Sequence, residues 1–181
     1  MSLMTPEIVV SFWSEAGPAR WFSKDEAFDA DLRARFEAAH LSAARGGFAE
    51  WEARAEGALA LILLTDQIPR NIYRGSAHAF ATDARALHVA ERAIASGFDA
   101  GFEPALRCFF YLPYEHSERM EDQQRAVALF EALGDAEYLK HALIHRDIIA
   151  RFGRFPHRNA VWGRITTPEE QAFLDGGGFA G

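Results

Sequence analysis

The stretch EGALALILLTDQI, from Glu56 to Ile68, decides the fold. Its apolar residues surround the whole helical circumference instead of lining one stripe, which at this length marks a helix enclosed by other helices. LALILL also has the length of a buried strand, but its flanks do not alternate and β-branched residues are few, so the reading is helix. Pro69 follows at once and is expected to terminate it.

An enclosed helix needs a shell, and the flanking sequence supplies one. Thr5, Pro6 and Glu7 combine an N-cap, a first-turn proline and an acid at the positive helix end, ahead of Ile8, Val9, Phe12 and Trp13. Ser23 to Glu26 reads as a capping box for a helix whose Phe28, Leu32, Phe36 and Ala39 form a core stripe. Asp29 with Arg33 and Asp31 with Arg35 read as ion pairs on its wet side. Downstream, Ser76 reads as the cap of a helix carrying Phe80, Ala84, Leu87 and Ile94, closed by Gly97. Pro104 opens the next, which Pro113 is expected to stop. Met120, Val127, Phe130 and Leu133 give another amphipathic helix, closed by Gly134. After the cap Asp135, the residues Tyr138, Ala142, His145, Ile149 and Phe152 share one inward face. Thr167, Pro168, Glu169 and Glu170 start a short last helix, and the Gly176 to Gly178 run after it is expected to fray. No segment alternates as a half-buried strand does, so the chain reads as all-α, with about eight to ten helices packed as antiparallel pairs in a single domain over 4–181. Trp13, Phe28, Phe36, Leu61, Leu64, Phe109, Phe110, Phe130 and Phe152 are the expected core. Met1, Ser2 and Leu3 precede a second methionine and are set aside.

Composition bounds the function. With 181 residues, 49% of them hydrophobic and 15 of them Phe, the chain buries a core without help from disulfides or metal. A net charge of -7 argues against nucleic acid or an anionic membrane as partner. The lone Cys108 cannot form an internal disulfide, and no apolar run reaches the roughly 20 residues of a membrane span, so the expected compartment is the cytoplasm.

Two segments concentrate the polar chemistry. DQIPRNIYRG, from Asp66 to Gly75, and FGRFPHRN, from Phe152 to Asn159, each end an apolar helix and carry a proline closely followed by Arg-Asn. Together they read as two walls of one polar site holding Asp66, Arg70, Asn71, Arg74, Arg154, His157, Arg158 and Asn159. Guanidinium suits bidentate clamping of a carboxylate or phosphate. The chain uses 17 Arg against 2 Lys, which discounts the density of arginine by itself. The identifiable internal anions, Asp66, Glu115, Glu118 and Asp147, are fewer than the cations, so a bound anion would complete the balance. His116, Glu118 and the inward-facing His145 are the candidate acid–base groups, with a core histidine bonded to a carbonyl or carboxylate as the plainer reading of His145. HALIH lacks the Glu of a zinc-protease helix, and no metal or cofactor is expected.

LALILLTDQIPRNIYRG, AFATD, FFYLPYEHSE, RFGRFPHRN and the closing TPEE together resemble the bacterial family catalogued as domain of unknown function 924, over nearly the whole chain. The resemblance implies an all-helical, tetratricopeptide-like fold, a right-handed bundle of antiparallel helix pairs, and brings no activity. Three function classes follow: a pocket for a small anionic metabolite or phosphate, a metal-independent hydrolase or lyase in the same pocket, and a helical module that takes a peptide or protein.

Overall fold

Helix follows helix from Pro6 onward in the computed structural model, which describes residues 4–179. The leading Met1 to Leu3 and the last two residues lie outside that range. The order is α1 (Pro6–Ala16), α2 (Pro18–Trp21), α3 (Glu26–Ala44), α4 (Ala55–Ile62), a π-helical turn (Leu63–Gln67), α5 (Ile68–Ile72), α6 (Asp83–Ala95), α7 (Pro104–Glu115), α8 (Met120–Leu133), α9 (Ala136–Phe152) and α10 (Pro168–Asp175), with short 3-10 turns between. The protein is all-α, with no strand among the described residues. No helix among them is long and apolar enough to cross a membrane. The chain gathers into two compact units, one of residues 4–74 and 78–113, the other of 75–77 and 114–179.

The first unit closes around α4 and the π turn, in which every residue from Gly57 to Gln67 is buried. Phe28, Leu32 and Phe36 of α3 face inward, as their spacing requires. The N-cap of α3 is Asp25, whose carboxylate accepts the amides of Ala27 and Phe28, whereas the hydroxyl of Ser23 turns back to the Arg20 carbonyl. Asp competes well for this position because its charge also meets the positive helix end. Beside it, the Trp21 indole donates to the Trp13 carbonyl at 2.6 Å and Phe109 meets both indoles edge-on at 5.6 and 5.0 Å. A β-carbon at Gly57 would collide with the Trp51 carbonyl, so glycine alone lets α4 start there.

Pro69 does not end the buried helix. Proline has no N–H, so a carbonyl four or five residues back loses its donor, and the usual outcome is a break. Here the helix widens into a π turn and continues through Pro69 to Ile72. Side chains supply what the backbone cannot. His40 Nδ1 donates to the Leu64 carbonyl at 2.7 Å and the Thr82 hydroxyl to the Thr65 carbonyl at 2.5 Å. Arg70 donates to the Asp66 carbonyl at 2.7 Å. A carbonyl only accepts, so Nδ1 of His40 carries the proton. Pro113 is likewise carried inside α7, which runs on to Glu115.

In the second unit, α8 ends on Gly134 in the left-handed conformation, at φ 80°, and Asp135 caps α9 one residue later. So short a link returns α9 against α8 as an antiparallel pair. Phe130, Ala126 and Ala142 are buried there. A second cluster forms where α9 ends: Ile148, Ile149 and Phe155, with Met120, Phe152, Phe173 and Phe179 packed against it. Phe155 is fully buried while Phe152 is only partly so. The chain leaves the helix at Gly153, and helical spacing stops predicting burial there. α10 opens with the reciprocal Thr167–Glu170 capping box. Its far end is tied down by Gly178 N–H to the Phe173 carbonyl at 2.9 Å and Gly177 N–H to that of Leu174 at 3.2 Å, the pattern of a Schellman close.

Candidate functional site

The π turn fixes the first polar segment. Asp66 projects from it fully buried, with Oδ2 accepting the Gln67 amide at 2.6 Å and Oδ1 at 3.1 Å from Arg70 Nη1. Arg70 forks onto both oxygens of Asp83, at 2.8 and 2.9 Å, beneath the Phe80 ring. Asn71 donates to Asp29 at 2.7 Å, and Arg74 grips the same carboxylate at 2.5 and 3.1 Å. Asp29 is therefore the anchor of this segment and not the helical partner of Arg33, which pairs with Glu37 at 2.8 Å. The Asp31–Arg35 pair forms as its spacing predicts, at 2.6 Å.

The second polar segment begins where Gly153 ends α9. Arg154 forks onto Glu170 at 2.6 and 2.8 Å, and the same carboxylate accepts Asn159 at 3.2 Å and the Thr167 amide at 2.7 Å. Those donors, Arg154 foremost, hold the Glu170 carboxyl down at about 2 although burial works against it. Arg164 forks onto Glu118 at 2.7 and 3.0 Å, and Glu118 also accepts the Phe155 amide at 2.9 Å. Burial would raise the Glu118 carboxyl, but the Arg164 fork, the Phe155 amide and the charge of Arg158 outweigh it, and its pKa is lowered.

Around His145 the balance of charge is different. Its Nδ1 stands 2.9 Å from the His141 carbonyl and 3.0 Å from Glu115 Oε1, with both side chains buried. The carbonyl requires the proton on Nδ1, which leaves the Nε2 lone pair as the reactive edge. Phe179 and Phe155 pack against the ring at centroid distances of 4.4 and 5.4 Å, and His116 lies at 6.5 Å. His157 packs on the same two phenylalanines, and the Arg158 guanidinium sits 4.5 Å over Phe155. Burial pushes the His145 imidazole down to about 3, and His116, Arg158 and His157 each push the same way. His145 is thus held as a neutral imidazole, chiefly by burial, with Glu115 at Nδ1 and His116, His157 and Arg158 nearby.

The expected shortage of carboxylates is corrected at Arg70, Arg74, Arg154 and Arg164. Asp83, Asp29 and Glu170, which sequence reasoning did not count, neutralise Arg70, Arg74 and Arg154. Glu170 was legible only as a capping-box residue, and it serves the cap and the arginine with one carboxylate. The acid beside His145 is Glu115 in place of the expected Glu118, because α7 continues past Pro113 and brings Glu115 inward in its last turn. An open groove of about 380 Å³ between α1 and α3, lined by Met4, Ile8, Phe12 and Phe36, contains none of the predicted site residues. Among the described residues no group of three or more His, Cys, Asp or Glu side chains is arranged to hold a metal ion.

The family described as "Bacterial protein of unknown function (DUF924)" matches residues 9–178, a span that includes both polar segments. The chain belongs to that family, domain of unknown function 924. A solved structure described as a protein of unknown function from Agrobacterium tumefaciens superposes with a TM-score of 0.92 at 50% identity, covering 94% of this chain and 97% of that one. None of the curated proteins matches. Membership of family 924 and this likeness carry the all-α fold and no activity.

Proposed function

We propose that the protein binds a small ligand through an anionic group, at the cluster of His116, His145, His157 and Arg158 in the second unit. The observation that carries the reading is the convergence of His116, His157 and Arg158 on one buried imidazole. Their combined influence helps hold His145 neutral, and His145 and His157 share Phe155 and Phe179 as ring neighbours. Such a concentration of like charge favours an anion, and His and Arg offer the donors that phosphate or carboxylate oxygens need. Phe155 and Phe179 against the imidazole favour a ligand with an apolar portion beside its charge. The compartment we infer is the cytoplasm, since the only cysteine, Cys108, is buried and has no partner for an internal disulfide.

The test is a thermal melt in inorganic phosphate against chloride at equal ionic strength, for the parent and for His157→Gln. The reading expects phosphate to raise the parent's midpoint and to raise that of His157→Gln less. Equal midpoints in the two salts would reject it.

The Glu115–His145 contact favours a second reading, proton transfer through Nε2 in a metal-independent hydrolase or lyase. An imidazole that protonates near 3 is a weak base at neutral pH. Binding is therefore the primary reading, and catalysis would depend on a bound anion raising the imidazole first.

A further inference from the structure

Glu115 at the end of α7, with His116 and Glu118 in the loop that leads to α8, supplies groups to His145 and Arg164, and one buried side chain holds this part of the chain. Gln123, in the first turns of α8, is completely buried. Its Nε2 lies 2.7 Å from the Glu115 carbonyl and 2.6 Å from that of Ser117, with the Tyr114 carbonyl at 3.5 Å. These belong to the last turn of α7 and the residues just beyond it; the Tyr114 carbonyl also accepts the Ser117 N–H at 3.2 Å, and the amide's two short bonds go to the Glu115 and Ser117 carbonyls. Two carbonyls demand two N–H groups, which a primary amide supplies from one nitrogen, and the amide oxygen cannot take that place because it would face the carbonyls as a third acceptor. Ser117 provides a second tie, donating its hydroxyl to Asp122 at 2.6 Å and accepting the Arg119 amide at 3.2 Å.

We propose that Gln123 is a positioning residue, whose side-chain amide clamps the Glu115 and Ser117 carbonyls and thereby sets Glu115 and His116 against His145 and Glu118 against Arg164. Its role in ligand binding rests on the anion-site reading given above. Its role in aligning the polar groups does not. The choice of residue is specific. Met at 123 fills a similar volume with no donor, Glu turns the donor into a charged acceptor facing carbonyls, and Asn keeps the amide on a shorter arm.

The experiment uses the full chain with labelled histidines and follows the His145 and His116 ring titrations by NMR, alongside phosphate binding, in the parent, Gln123→Met and Gln123→Asn. In a folded Gln123→Met protein the displaced Glu115 and His116 change the field at His145, so its titration moves by about one pH unit or more. Phosphate affinity falls about tenfold, and Gln123→Asn recovers part of both. An unchanged His145 titration in a cooperatively folded Gln123→Met protein overturns the assignment. If Gln123→Met does not fold, Gln123→Asn against the parent carries the same comparison, and failure of both to fold assigns Gln123 to the scaffold alone. A shifted His145 titration in a protein whose parent binds no phosphate keeps the positioning role and discards the anion site. Phosphate binding with unchanged titration does the reverse.

Discussion

Acid should destabilise this protein through His145, and by a calculable amount. The imidazole titrates at about 3 in the folded chain, against roughly 6.5 in an unfolded one. A group whose folded value is depressed contributes its stabilisation above the unfolded value and loses it as pH falls toward the folded one. The loss therefore begins near pH 6.5 and accumulates at about 1.4 kcal/mol per unit, reaching roughly 3 kcal/mol by pH 4.5. Glu115, 3.0 Å from the ring, opposes this by favouring an imidazolium. Burial of the ring, together with the charges of His116, Arg158 and His157, points the other way and is expected to win. The assay is urea unfolding of the parent and of His145→Gln at pH 7, 5.5 and 4.5. The other titrating groups are common to both proteins and cancel in the difference. The parent's advantage over the variant should shrink steadily across that range. A constant or growing advantage at pH 4.5 would mean that His145 is charged and paired with Glu115, and the account of this site would fail.

Phe155→Ala should cost about 3 to 5 kcal/mol in urea unfolding and Phe152→Ala clearly less, since only the first ring is fully buried; equal losses would place the core boundary elsewhere. Thr82→Val removes the donor to the Thr65 carbonyl inside the π turn and should cost about 1 to 3 kcal/mol, whereas a neutral result would show that the carbonyl finds another donor. Glu170→Gln should lower the urea midpoint at pH 7 and flatten the stability profile at low pH. The parent's Glu170 stabilisation is present above the ordinary value of 4.5 and disappears as pH falls through about 2. An unaltered profile below pH 4.5 would remove Glu170 from the account.

Most of the helices were legible because burial imposes a period on the sequence, and the caps Asp135 and Thr167 and the glycine stops Gly97 and Gly134 mark their ends locally. Pro69 misled because its repair is remote. The donors that let the helix pass through it come from His40 and Thr82, 24 and 17 residues from the carbonyls they serve, and no local pattern announces them. Asp25 displaced Ser23 as a cap because two good capping residues stood two positions apart, and only the path of the chain between them selects one. The polar residues were legible as residue types and not as pairs. Asp29 looked like a partner for Arg33, yet it closes on Asn71 and Arg74 from 42 and 45 residues away. Gln123 gave no signal at all, since a glutamine in an amphipathic helix reads as surface until the carbonyls it meets are known.

The central claim, an anion site around His145, is tested most directly by the His145 ring itself, titrated by NMR in the presence and absence of inorganic phosphate. An anion bound among His116, His157 and Arg158 offsets the charges that depress the imidazole, so the account predicts that phosphate raises the His145 titration point toward its ordinary value and that His157→Gln weakens the effect. A titration point that stays near 3 at saturating phosphate, with the His116 and His157 signals unmoved, would contradict it.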